Sequence, residues 1–203
     1  MVRRLAQLYV GLGLYGLSTA MFIRSDLGVD PWDVFHLGVA LQLGMSIGTV
    51  IILTGAAVLL LWIPLRQMPG LGTISNVICI GLAADASMAL LPEMTSLPLR
   101  VAMLVAGIVV NAIATGMYIG AGFGPGPRDG LMTGIHARFG WSIRSVRTAI
   151  EVSVLLIGIV LGGSFGFGTV LYALTIGPLI QLCLPWFRHR PRAPKIAEPE
   201  RVV

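Results

Sequence analysis

The chain has 203 residues, 56% of them apolar and only 11% charged, with a net charge of +5 and a mean hydropathy of +0.87. Soluble domains carry about 25% charged residues, so this composition excludes a water-exposed globule and selects hydrocarbon as the solvent. The basic residues form no patch interleaved with aromatics; they sit in short connections and a C-terminal tail, which excludes nucleic acid as a partner and fits membrane orientation.

Arg3 and Arg4 precede an apolar run from Leu5 to Ile23. A signal peptide has a core of about 7–15 residues and a small-x-small cleavage site. This run is longer and no such site ends it, so a retained first span over 5–23 is expected. A bilayer core about 30 Å thick takes about 20 apolar residues per helix, which predicts further spans at 47–65, 72–91, 100–121, 143–163 and 168–187. Two intervening segments, 32–43 and 128–139, are too short and too polar to cross alone. Each opens with a proline in a glycine-rich turn, and proline at the first helical position loses no hydrogen bond. Residues 1–187 are thus expected to form one integral membrane domain. From Arg188 the chain is charged and proline-rich, as expected of a disordered cytoplasmic tail over 188–203.

Shifting the sequence by 96 residues brings Gly28 onto Gly124, Pro31 onto Pro127, Asp33 onto Asp129, Gly38 onto Gly134 and Gly44 onto Gly140. Ser46-Ile47 meets Ser142-Ile143, and Gly70, Gly72 and Thr73 meet Gly166, Gly168 and Thr169. From residue 11 to 82 there are 22 identities in 72 ungapped positions, and the ordered Gly, Pro, Asp and Ser matches mark a duplication. Repeat one covers about 5–91 and repeat two about 100–187, each reading as span, short helix, span, span. Three crossings per repeat invert the second copy. With the N-terminus inside, twelve Lys and Arg residues fall on the inner side and only Arg24 and Arg100 on the outer, as inverted topology requires. The expected fold is therefore an all-α membrane protein of about six transmembrane helices plus two half-helices, arranged as two inverted-topology repeats with both termini cytoplasmic.

The segments Leu27-Gly28-Val29-Asp30-Pro31-Trp32-Asp33 and Gly124-Pro125-Gly126-Pro127-Arg128-Asp129-Gly130, with Ser142-Ile143-Arg144 and the pair Arg147 and Glu151, resemble the YczE/YyaS/YitT family of bacterial integral membrane proteins, its YczE branch above all. The resemblance spans nearly all of residues 5–187. It implies an inner-membrane location and, in the YczE branch, an association with lipopeptide or other secondary-metabolite production. It brings no established catalytic or binding residues.

Candidate chemistry centres on the paired turns Asp30-Pro31-Trp32-Asp33 and Gly126-Pro127-Arg128-Asp129. Asp33 and Asp129 occupy the third helical position, where a carboxylate can accept free N–H groups and complement the dipole. Alternatively, two half-helices entering from opposite faces present their N-termini to a solute, as discontinuous transporter helices do. Asp30, Pro31, Trp32, Asp33, Pro127, Arg128 and Asp129 are the candidate solute-binding residues. Glu151 lies roughly 12 Å into the fifth span at 1.5 Å per residue, one turn from Arg147 and two from Arg144. The pair Arg147 and Glu151 is read as a structural ion pair, as a proton- or ion-coupling element, or as headgroup-level charge. Asp85 and Asn76, equivalent to Gln181 and Tyr172, are expected to bond between helices.

Other motifs are discounted. Gly11, Gly13 and Gly16 match a dinucleotide fingerprint, but that motif needs a strand before it; inside a span, small residues permit close helix packing. Gly116 with Gly120, and Gly158 with Gly162, read the same way. Cys79 and Cys183 read as inert thiols. His36 and His136 are not equivalent under the repeat, so no metal site and no cofactor are expected. Net charge over Asp33, Asp129, Arg128, Arg147 and Glu151 is close to neutral, which leaves the solute's charge open.

These features predict a small transporter or channel for a polar or amphipathic solute, with membrane lipids as partners and a homo-oligomer compatible with the small size. The alternative is a non-transporting accessory protein for a biosynthetic or export complex. An intramembrane aspartyl dyad of Asp33 and Asp129 is a third reading, disfavoured because both fit helix capping. The chain is not expected to be an enzyme.

Overall fold

A computed structural model describes residues 1–188, so the tail expected beyond Arg188 lies outside the described residues. Eight helices follow one another: α1 (Val2–Ser25), α2 (Pro31–Leu43), α3 (Ile47–Leu65), α4 (Leu71–Leu90), α5 (Leu97–Ala121), α6 (Pro127–Phe139), α7 (Ile143–Val160) and α8 (Phe167–Phe187).

The helix boundaries follow from local chemistry that recurs at the 96-residue offset. Pro31 and Pro127 begin α2 and α6, and both helices close on a left-handed glycine, Gly44 (φ 63°) and Gly140 (φ 73°). The Oγ of Ser46 accepts the N–H of Thr49 at 3.2 Å and that of Ser142 accepts the N–H of Ser145 at 3.0 Å, capping α3 and α7. At the heads of α4 and α8, the N–H groups of Gly70 and Gly166 donate to the hydroxyls of Thr73 and Thr169, at 3.2 and 3.3 Å.

Among the described residues five helices, α1, α3, α4, α5 and α8, are long and apolar enough to cross a membrane. α7 is set apart by its three charged residues, Arg144, Arg147 and Glu151, within 18. It also stops at Val160, short of the expected 163, and Gly162 turns the chain at φ 91°. The glycine pair 158/162 is thus not a helix-packing pair: only Gly158 lies in α7, where a Cβ would sit 2.5 Å from the backbone N of Phe35. α2 and α6 have 13 residues each, about 20 Å at 1.5 Å per residue and shorter than a hydrocarbon core of about 30 Å. Outward faces carry large apolar side chains such as Leu60 (65% exposed), Leu174 (72%) and Val160 (85%). Lipid, unlike water, solvates such a surface without penalty.

α1 packs between α4 and α5, and α5 also packs on α8. Each short helix leans on a helix of the other half, α2 on α7 and α6 on α3. Absent side chains allow the close approaches. A Cβ on Gly11 would lie 2.9 Å from the Cβ of Met117, and one on Gly16 would lie 2.5 Å from that of Ala83. These glycines sit inside helix α1, which excludes the dinucleotide motif. Gly116 and Gly120 likewise pack against Phe187.

The ties between the halves are reciprocal. Arg4 donates to the carbonyls of Ala121 (2.9 Å) and Gly122 (3.2 Å). Its equivalent Arg100 donates to the equivalent carbonyls of Ser25 (2.7 Å) and Asp26. The N–H of Gly72 donates to the carbonyl of Phe123 at 2.8 Å, and that of Gly168 to Leu27 at 2.7 Å. The N-terminal end of α1 therefore meets the C-terminal end of α5 and vice versa, so these equivalent helices run antiparallel. Each guanidinium also supplies donors to the free carbonyls at a helix end. Asp85 of α4 accepts from the Ser46 hydroxyl (2.6 Å) and the Gly48 N–H (2.8 Å) at the head of α3, the interhelical role expected of it. Cys79 is part-buried and Cys183 buried, both as free thiols.

Candidate functional site

The two turns that precede α2 and α6 are pinned to the heads of the facing helices. Gly28 (φ 106°) and Gly124 (φ 120°) adopt left-handed backbone at equivalent positions. A side chain on either would strike the opposite turn: Gly166 N at 2.6 Å for Gly28, and the Thr73 hydroxyl at 2.8 Å for Gly124. The Thr73 hydroxyl donates to the carbonyl of Pro125 at 2.7 Å. The indole N–H of the buried Trp62 donates to the carbonyl of Pro127 at 3.0 Å, fixing the first turn of α6.

So held, the starts of α2 and α6 border one cavity of about 260 Å³. Its lining includes all nine residues singled out from the sequence: Asp30, Pro31, Trp32, Asp33, Pro127, Arg128, Asp129, Arg147 and Glu151. Trp32 and Arg128, which occupy equivalent positions in the two copies, meet each other. The Arg128 guanidinium lies 4.5 Å over the Trp32 ring, within cation–π range. Its Nη1 is 3.9 Å from Asp30 Oδ1, close enough for attraction and too far for a hydrogen bond.

Capping of α2 falls to Asp30, not to Asp33. Asp30 Oδ1 accepts the N–H groups of Trp32 (2.8 Å) and Asp33 (3.0 Å), which makes it the N-cap. Asp33, one turn inside, directs Oδ1 to Nδ1 of His36 at 3.0 Å, and both side chains are buried. In α6 the cap position is Gly126, with no side chain to offer, and Asp129 accepts the Tyr118 hydroxyl at 3.0 Å. The capping expectation for Asp33 and Asp129 is therefore corrected. A proline-first helix takes its cap from the residue before the proline, and only repeat one has an acid there.

Arg147 and Glu151 pair at 2.9 Å with side chains 53% and 38% exposed from the protein, so the pair lies on an open side of the cavity and is not buried in protein. Sequence reasoning passed over Tyr15, Thr19, Thr54, Thr115 and Tyr118, and weighed His36 only as a metal ligand and Tyr172 only as an interhelical partner; all of them add to the polar lining. The available signal was polarity inside apolar spans: Thr19 and Thr115 are equivalent, and Tyr15 is equivalent to Asn111. Behind the wall, Tyr172 donates to Asn111 Oδ1 (3.1 Å) and Asn111 donates to Ser18 (2.9 Å), linking α8, α5 and α1. Tyr172 is thus the interhelical partner expected at its position. Its repeat equivalent Asn76 lines the cavity. Among the described residues no group of three or more His, Cys, Asp or Glu side chains is placed to hold a metal ion.

Two acceptors remain. Among the described residues, Asp30 Oδ2 and Asp33 Oδ2 are buried side-chain oxygens with no hydrogen bond of normal geometry, although the Thr19 hydroxyl and the Asp30 carboxyl both interact with the Asp33 carboxyl. A buried acceptor left unpaired costs about 1–3 kcal/mol, more when charged, and such atoms at a cavity wall are suited to a ligand that brings donors.

Residues 2–185 match the profile of a family of unknown function, DUF6198. An uncharacterized protein of Haemophilus influenzae is 39% identical over 187 residues, covering 92% of this chain and 86% of its own length. The uncharacterized membrane protein YczE of Bacillus subtilis is 31% identical over 179 residues, covering 87% and 83%. The uncharacterized protein YyaS of the same organism is 25% identical over 184 residues, covering 88% and 92%. No solved structure matches the chain. Helices of membrane-spanning length, apolar outer faces and these relatives converge: the chain is a multi-pass bacterial membrane protein and belongs to the DUF6198 family, with YczE and YyaS among its relatives.

Proposed function

We propose that the chain is a small solute transporter or channel of the bacterial inner membrane, and not an enzyme. Six crossings form two inverted repeats, both termini are cytoplasmic, and α2 and α6 are half-helices entering from opposite faces. The observation that carries this reading is the single cavity bordered by both helix starts and by Asp30, Trp32, Asp33, Arg128 and Asp129. Helix starts supply partial positive charge, and α6, whose cap residue Gly126 has no side chain, also offers free N–H groups, whereas those of Trp32 and Asp33 at the start of α2 are taken by Asp30. Irregular backbone at membrane depth is tolerated where it lines a cavity. The antiparallel run of α1 and α5 supports inversion, because equivalent helices of inverted repeats must oppose each other. The half-exposed Arg147 and Glu151 stand on an open side of the cavity, suited to admitting the solute or a coupling ion.

The test is complementation of a deletion strain's phenotype, run beside thermal melts, for Asp33→Asn, Asp129→Asn, Arg128→Gln and Trp32→Gln. Both Asp→Asn variants should melt within a few degrees of the parent yet lose function, and Arg128→Gln should impair function more than Trp32→Gln. Normal function in all four overturns transport and favours an accessory role in a biosynthetic or export complex.

A further inference from the structure

We propose that the solute is a small organic cation, an alkylammonium or guanidinium compound, bound by Asp30 and Asp33. The proposal rests on the transport reading and assigns it a substrate class. The ionisable wall holds four carboxylates, Asp30, Asp33, Asp129 and Glu151, against two guanidiniums, Arg128 and Arg147. Glu151 engages Arg147 at 2.9 Å, which leaves Arg128 facing three carboxylates. That cation is itself committed to the Trp32 ring at 4.5 Å and stops 3.9 Å short of Asp30.

The carboxylates are only half used. Asp30 spends Oδ1 on the head of α2 and Asp33 spends Oδ1 on His36. The second oxygen of each is buried and makes no hydrogen bond of normal geometry among the described residues, with only the Thr19 hydroxyl and the neighbouring carboxyl beside Asp33. Two such acceptors call for a ligand bearing several N–H groups on a positive centre, which an ammonium or guanidinium supplies. An anion would find one guanidinium and the partial positive charge of two helix starts, but no use for the spare acceptor oxygens of Asp30 and Asp33, which only a donor can fill. The wall also bears the rings of Tyr15 and Tyr172, whose faces attract an organic cation. The cavity volume of about 260 Å³ falls below the usual range of about 300–1,000 Å³ for drug-sized ligands, so the molecule is small.

The experiment titrates the purified full chain in detergent with n-butylammonium chloride, and with sodium butyrate and n-butanol as size-matched anion and neutral, by calorimetry and thermal melt. Butylammonium should bind saturably and raise the melting temperature, while butyrate and butanol do neither. Asp33→Asn should weaken butylammonium binding at least tenfold with its own melt little changed. Asp30→Asn, which keeps a capping side chain, should do the same and provides a second variant if the first fails to fold. Butylammonium binding that survives both substitutions overturns the proposal, as does the absence of saturable binding. Butyrate binding abolished by Arg128→Gln overturns the cation while leaving transport standing. Transport itself fails on the separate complementation result described above.

Discussion

Asp30, Asp33 and Asp129 have the same chemistry and three different environments, set by what stands around each. Asp30 precedes Pro31 and so caps α2; Asp33 is turned to His36, and Asp129 to Tyr118. Losing an N-cap costs about 0.5–2 kcal/mol, whereas Asn caps about as well as Asp. Asp30→Ala should therefore destabilise the protein by about 1 kcal/mol relative to Asp30→Asn in denaturation in detergent, and equal stability of the two would remove the cap assignment. The sequence displayed all three acids and the duplicated proline. With proline at the first helical position it also placed Asp30 and Gly126 at the caps, so the empty second cap was legible there, although the capping role was assigned to the third position instead. Arg147 and Glu151 were legible as a pair from their one-turn spacing, but not their exposure, which depends on how α2 and α6 sit beside α7. Where the open side of the cavity is filled with water, a pair this exposed contributes about 0–1 kcal/mol, and Glu151→Gln should lower stability by less than about 1 kcal/mol. A loss of about 3 kcal/mol or more would require a pair held out of water, one of the three readings the sequence left open.

At the scale of elements, the start of each short helix is clamped by the other half, through Trp62 on Pro127 and Thr73 on Pro125 in one case and through Gly166 and Gly168 on Leu27 and Gly28 in the other. Gly130 sits directly against the Trp62 indole, where a methyl group would overlap the ring. Overpacking typically costs about 1–3 kcal/mol, so Gly130→Ala should destabilise by that amount and displace Arg128, two residues earlier, from Trp32. The fluorescence of Trp32, isolated by replacing the other tryptophans with Phe, should change with it; unaltered stability and fluorescence would mean that α6 is not seated on Trp62. Apolar runs, proline and glycine punctuation and the repeat made the elements readable to within a few residues. Partnership was not readable. Nothing local distinguishes α2 leaning on α3, its chain neighbour, from α2 leaning chiefly on α7. The close approach of α2 to α7 uses three missing side chains, those of Gly38, Gly158 and Gly163.

Across the whole molecule, Arg4 and Arg100 carry the clearest trace of the duplication. From sequence they were orientation charges on opposite sides; in the fold each binds the carbonyls that end the other copy's first helix. Arg100→Gln and Arg4→Gln should each lower stability in denaturation in detergent, and by similar amounts if the ties are equivalent. External labelling of single cysteines should reach positions near Arg24 and spare those near Arg138; labelling of both from one face would make the repeats parallel. The central claim is that a water-reachable cavity is shared by the starts of α2 and α6, and single-cysteine accessibility tests it most directly. In a Cys79→Ser, Cys183→Ser background, Met132→Cys on the cavity wall should react with a small charged thiosulfonate, while Leu104→Cys, 1% exposed and away from the cavity, should not. Reaction at 132 that slows at least several-fold when Asp33→Asn is added to a cationic reagent, but not to an anionic one, is the predicted result. An inert thiol at position 132 under conditions that label the position-24 control would contradict the account.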